Sequence, residues 1–202
     1  AAAHVMFHHR LHPAATVRFL TRSGLLEVTL GDDRHLTLDL PSRPPRPAEP
    51  PAGFLEALGG TPVEVLAARD LIVVLDSPEA VRDLAPDLHR MAEVDAFAFA
   101  VTAAGDAERD EGEDPADFVS RFFVPREGIP EDPVTGSSHC SLVPLWAERL
   151  GRTRLTARQL SSRGGRLDCE LRGDRVRLGG HARTYLHGSI VVPTPPSLLE
   201  VE

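Results

Sequence analysis

Near the start of the chain, apolar and polar residues alternate in three short runs, Thr16–Leu20, Leu25–Leu30 and His35–Leu40. A period of two puts every second side chain on one face, so these runs predict three strands. The turn residues at Arg22–Gly24 and Gly31–Asp33 make the three an antiparallel meander. Ala1–Leu11 instead carries Val5, Phe7 and Leu11 on a helical pattern that stops before Pro13, and it predicts a helix. The proline-rich segment 42–53 cannot be a central strand or a helix, so it reads as a crossover between two lobes. Beyond it the pattern predicts a short helix at Phe54–Leu58 and strands at Val63–Ala68 and Leu71–Leu75. A helix opened by Ser77-Pro78 follows, running to about Asp83, then a helical turn at Leu88–Ala92 and a strand at Ala96–Val101. Residues 105–117 are strongly acidic without the ordered spacing of a calcium loop, which predicts a solvated loop.

The most informative stretch is Arg121–Gly151, RFFVPREGIPEDPVTGSSHCSLVPLWAERLG. The apolar residues Phe118–Val124 predict a buried strand. Leu142, Leu145, Trp146, Ala147 and Leu150 recur at helical spacing and stop at Gly151, which predicts a helix with a glycine C-cap. The loop between them runs into a helix N-terminus, where unpaired N–H groups and the positive dipole end can hold an anion. Gly136 and Ser137 are placed to supply those amides, with Ser137 or Ser138 as a side-chain cap. Asp132, four residues earlier, is then a carboxylate beside an anion cradle, suited to proton transfer. The plainer reading makes Asp132 a cap or dipole partner.

Three further alternating runs, Leu155–Ser161, Arg166–Leu171 and Arg175–Gly179, repeat the opening of the chain. Arg22-Ser23-Gly24-Leu25-Leu26 lines up with Arg163-Gly164-Gly165-Arg166-Leu167, an offset of 141 residues from Arg22 to Arg163. That spacing is too long for a solenoid and fits two pseudo-symmetric lobes. The same offset places the counterpart of Asp132 before residue 1, so the first lobe is expected to be incomplete.

Composition narrows the function classes. The net charge of −8 argues against nucleic acid or an anionic membrane as the main partner. No apolar run approaches the roughly 20 residues that span a bilayer, and a cytoplasmic location is expected. Cys140 and Cys169 make no disulfide framework and have no zinc spacing. His4 and His8 stand at i, i+4, a pattern that invites a metal but lacks further ligands. No phosphate-binding glycine loop occurs, so no cofactor is expected. All 22 basic residues are Arg.

The strings GIPEDPVTGSSH, LVPLWAERLG, QLSSRGGRL and DRVRLGGHA resemble the PhzF-like isomerases of phenazine biosynthesis, relatives of diaminopimelate epimerase. The resemblance implies an α+β fold of two lobes, each a mostly antiparallel or mixed sheet wrapped around a central helix. It divides the chain into a first-lobe remnant (1–41), the crossover (42–53), a second lobe (54–190) and a tail (191–202). It implies a cofactor-independent, metal-independent isomerase that moves a proton on a small carboxylate-bearing metabolite. Asp132 carries over as an active-site residue, with Gly136 and Ser137 binding substrate. Arg163 could close over an anionic substrate or be only a solvated turn residue; His139 is a proton partner or a satisfied capping histidine. Cys140 reads as core packing. In that family a Gly-His-Ala-Thr motif and a catalytic Glu precede the helix that reads like AAAHVMF. Neither is in this sequence, so the chain looks like the C-terminal two thirds of such a protein, with impaired activity expected. The rival reading is a non-catalytic carboxylate-binding or dimerisation protein. A homodimer is the expected assembly.

Overall fold

The computed structural model describes residues 1–10, 13–21, 24–105 and 115–191. The helix α1 (Ala2–His8) precedes strands β1 (Thr16–Thr21), β2 (Gly24–Leu30) and β3 (Leu36–Pro41). Next come β4 (Arg46–Pro47), α2 (Phe54–Leu58), β5 (Glu64–Ala67), β6 (Leu71–Val74), α3 (Pro78–Asp83), α4 (Leu88–Glu93), β7 (Phe99–Ala104) and β8 (Phe118–Phe123). The chain closes with α5 (Gly136–Leu150), β9 (Arg154–Gln159), β10 (Gly165–Arg172) and β11 (Arg175–Gly180). Among the described residues the strands form one mixed sheet in the order β1-β2-β3-β11-β10-β9-β8-β7-β6-β5-β4. This is an α+β fold with a large sheet and few helices.

Local chemistry accounts for most boundaries. Ser77 caps α3 by accepting from the Ala80 amide, with Pro78 in the first turn where its missing N–H costs nothing. Gly151 ends α5 in the left-handed conformation at φ 65°. The first meander forms as expected, β1 with β2 and β2 with β3, both antiparallel. The helix before it is shorter than expected, and its inner face is Ala3 and Phe7, packed on Val17, Val28 and Leu36. Val5 lies off that face and is 44% exposed, because i and i+4, not i and i+2, share a helix face. The expected helix residue Leu11, the turn residues Arg22 and Ser23 and the acidic residues 106–114 lie outside the described residues. In the crossover, the two-residue β4 pairs with β5 at the sheet's far edge, where a proline's missing donor is tolerated.

The strand β8 shows why its sequence is apolar without alternation. Phe118 and Phe122 face α5, while Val119 and Phe123 face α2, α3 and α4, so both sides of the strand are core. Its parallel neighbour β9 is reached through α5, and β7 is reached from β6 through α3 and α4. Strands β7 to β11 pack around α5, with Phe118, Ala157, Leu167 and Val176 in one cluster with Leu142, Val143 and Trp146. Pro144 interrupts α5 internally, leaving the Cys140 carbonyl without its usual helical donor. The Arg43 backbone N–H, from the crossover, donates to that carbonyl at 2.8 Å. Two units therefore share one order, a helix followed by a three-stranded meander. Their last strands, β3 and β11, pair antiparallel from Leu36↔Gly180 to Pro41↔Arg175.

Candidate active site

The loop from β8 to α5 is held residue by residue. Glu131 forms a two-pronged pair with Arg121, whose third arm reaches the Leu84 carbonyl at 2.6 Å. The Asp132 amide returns to the Phe122 carbonyl at 2.9 Å. The Pro133 carbonyl accepts from Ser161 Oγ at 2.7 Å. Val134 packs over Gly165, where a Cβ would come within 2.3 Å of the valine methyl, so any larger residue there would displace Val134. Gln159 then clamps both sides of the loop: its Nε2 donates to the Asp132 carbonyl at 2.6 Å, and its Oε1 accepts from the Thr135 amide at 2.7 Å. The result is a carboxylate, half-buried, on a backbone with little freedom to move.

Thr135 is the N-cap of α5, yet its side chain caps nothing. Its hydroxyl donates to Asp132 Oδ2 in a short hydrogen bond and accepts from Gln159 Nε2 at 3.1 Å. Neither serine is the expected cap. Ser138 Oγ donates to the Thr135 carbonyl at 3.0 Å, and Ser137 Oγ accepts from Arg69 at 3.1 Å. The first amides of α5, those of Gly136 and Ser137, have no intrahelical acceptor by helix geometry, and the usual capping oxygen has been drawn away to Asp132.

His139 lies in the first turn of α5, inside the core. The ring is fully buried against Phe118, and Nδ1–H donates to the Thr135 carbonyl at 2.7 Å. Its Nε2 is buried without a partner. Burial lowers the pKa to about 4 against the smaller opposing effect of the Thr135 bond, so the imidazole is neutral at pH 7. Cys140 is buried and its thiol pKa is raised by that burial, in keeping with core packing.

Gly136 and Arg163 line one cavity of about 1170 Å³, together with Val5, Val134, Gly165 and Leu178. Asp132 and Ser137 flank these wall residues in sequence without belonging to the lining. Arg163 is exposed beside Gly164, which adopts φ 70°. His4 and His8 do come together, with ring centroids 4.7 Å apart, and His4 Nε2 lies 3.0 Å from Thr184 Oγ1. Among the described residues no group of three or more His, Cys, Asp or Glu is arranged to hold a metal ion. No helix among them is long and apolar enough to cross a membrane.

Three residues that organise this site, Arg69, Thr135 and Gln159, escaped the sequence reading. Gln159 carries a usable signal. It occupies the same register as Leu155 and Ala157 in an alternating strand, and a polar residue on the buried face of a strand needs partners. Arg69 and Asp70 fall between the two alternating runs Val63–Ala68 and Leu71–Leu75 and carry no local signal of their own.

Residues 1–188 match the PhzC-PhzF family, described as phenazine biosynthesis-like protein. An uncharacterized isomerase of Pseudomonas aeruginosa is 46% identical over 191 residues, covering 94% of this chain and 70% of that protein. A second from the same organism is 44% identical over 190 residues with the same coverage. The crystal structure of a PhzF-family phenazine biosynthesis protein from Enterococcus faecalis superposes with a TM-score of 0.85 at 37% identity, covering 94% of this chain and 70% of that one. With a matched family over nearly the whole described chain and relatives at this level of identity, the chain belongs to the phenazine biosynthesis-like PhzC-PhzF family, a family of isomerases.

Proposed function

We propose that this chain carries the proton-transfer loop of a cofactor-independent isomerase acting on a small carboxylate-bearing metabolite, with Asp132 as an acid–base group. The observation that supports it best is the diversion of Thr135. A threonine at an N-cap normally satisfies an amide of its own helix, with a contribution of about 1 kcal/mol. Here it orients a carboxylate instead, and a helix of 15 residues presents its amides four residues away. A substrate carboxylate on the Gly136 and Ser137 amides, near the positive end of that dipole, places its neighbouring carbon within reach of Asp132. With Oδ2 held by Thr135, Oδ1 is the oxygen that exchanges the proton. Arg163, beside the flexible Gly164, is the residue that closes over a bound anion.

Two lobes, 1–41 and 54–190, belong to the same proposal, supported by the shared helix-then-meander order and the antiparallel join of β3 to β11. The second proton-transfer group sits on the first lobe in this scheme, as the resemblance implies.

Solvent deuterium incorporation into a panel of small carboxylates, followed by NMR, tests the proposal. It is run on the 202-residue chain and on the same chain extended by the segment bearing Gly-His-Ala-Thr and the catalytic Glu that the resemblance calls for. The extended chain is expected to exchange, and Asp132→Asn to lower the rate by about 100-fold or more. Exchange that survives Asp132→Asn removes Asp132 as the acid–base group. Equal exchange by the 202-residue chain shows that the first-lobe Glu is not needed.

A further inference from the structure

Arg69 lies in the turn between β5 and β6, far in sequence from the α5 N-terminus that it touches. Its guanidinium is fixed on three sides. Nε and Nη2 grip the Asp70 carboxylate at 2.8 and 3.1 Å, and Asp70 is only 2% exposed. The guanidinium carbon stands 5.0 Å above the Phe97 ring, within cation–π range. Nη2 also donates to Ser137 Oγ at 3.1 Å. A guanidinium keeps its charge and has donors only, so in this contact the serine oxygen must be the acceptor.

We propose that Arg69 is a positioning residue that fixes the Ser137 hydroxyl as a hydrogen-bond donor, so that the α5 N-terminus selects a group that only accepts, a carboxylate, over one that donates. With one of its two lone pairs turned to Arg69, the Ser137 oxygen directs its O–H proton to a different neighbour. Accepting from a cation polarises the hydroxyl and makes it a stronger donor. The Ser137 amide, in the first turn of α5, is a donor as well. A carboxylate meets donors from both; an ammonium meets donors from both and the Arg69 charge besides. This inference rests on the carboxylate-cradle reading above and adds to it a residue that sets its selectivity.

Titration with benzoate and with benzylamine, observed at the Gly136 and Ser137 amides by ¹⁵N NMR, tests it. The proteins are the unmodified chain, Arg69→Met, Arg69→Lys, Ser137→Ala and the Arg69→Met/Ser137→Ala pair. Benzoate is expected to shift both amides, and benzylamine to leave them in place. Loss of one such bond weakens benzoate binding about three- to tenfold in Arg69→Met and in Ser137→Ala, and the double variant binds no more weakly than Ser137→Ala alone. Arg69→Lys, which also only donates, holds benzoate within about threefold of the unmodified chain. A purely structural role would lower the thermal midpoint and leave the preference for benzoate over benzylamine unchanged. Unchanged benzoate affinity in Arg69→Met, or losses that multiply in the double variant, overturns the inference and leaves the cradle standing. Absence of any benzoate shift in the unmodified chain removes both. If Arg69→Met does not fold, Arg69→Gln takes its place: glutamine can accept as well as donate, and unaltered selectivity in that variant overturns the inference equally.

Discussion

The helices α5 and α1 each open a helix-then-meander unit, but they are embedded very differently. Ten consecutive residues of α5, Ser138–Ala147, are buried, whereas α1 buries only Ala3 and Phe7. A helix enclosed on every side has no water to satisfy its polar groups, so a polar group there without a partner in the protein is costly. That demand explains the density of contacts at its start: Gln159, Thr135, His139 and Ser138 answer one another there, and Asp132 is held as a consequence. The helix α1 rests on one small cluster with Val17, Val28 and Leu36, and His4 and Val5 line the open cavity. Enclosure gives one helix a rigid, polar, organised entrance. One-sided packing gives the other a surface.

Trp146→Ala against Phe7→Ala breaks the comparison most directly. Trp146 stacks on Phe118 and donates to Thr102 Oγ1 at 2.9 Å deep in the enclosed core. Its removal should cost about 4 kcal/mol, against about 2 kcal/mol for Phe7, whose small cluster can collapse around the loss. Urea unfolding of the two variants measures both, and equal losses would mean that α1 is as firmly embedded as α5.

A second test uses pH. The folded-state pKa of His139, about 4, lies below its ordinary value of 6.5, so as pH falls the unfolded chain takes up the proton first. The buried neutral ring therefore adds nothing to the pH dependence above about pH 6.5, but stability declines between 6.5 and 4 and levels off below. The span is roughly 3 kcal/mol. His139→Asn keeps a donor near the Nδ1 position and cannot titrate, so its stability should fall less steeply over that window than the unmodified chain's. Parallel acid limbs for the two proteins, in thermal midpoints from pH 7 to pH 4, would contradict the buried neutral imidazole.

The smallest effect is expected at Gln159→Leu. The substitution keeps the side chain's size while leaving the Thr135 amide and the Asp132 carbonyl unanswered, at a cost of about 2 kcal/mol. Its more telling consequence is local. Amide protection at Asp132 and Thr135 should fall while that of the β1–β3 meander stays unchanged. A uniform loss across both units would show that the clamp stabilises the whole fold rather than the loop.

Much of this arrangement was legible in the residues alone. The end of α5 at Gly151, the cap at Ser77 and the two meanders follow from period, turn chemistry and capping, which act over a few neighbouring positions. The EDPVTGS loop was legible as a candidate site because a carboxylate, a glycine and a helix start fall within five residues. What could not be read are contacts between segments distant in the chain. Arg69 reaches Ser137, Arg43 satisfies the carbonyl freed by Pro144, and Gln159 spans the loop. The misassigned serine cap has the same origin. Local rules favour a serine near a helix start, but the N-cap is Thr135, whose hydroxyl is engaged at once by Asp132 and by Gln159.

The antiparallel join of β3 to β11 determines how the molecule comes apart. Because β3 is held by β2 on one side and by β11 on the other, it should unfold with the strands that follow the crossover even though it precedes them in the chain. Opening should therefore propagate inward from β1, the outermost strand, through β2, and stop at β3 until the whole sheet gives way. Hydrogen exchange would show this as a gradient across a single meander. Amides of β1 exchange through local fraying, while those of β3 wait for global unfolding alongside β11.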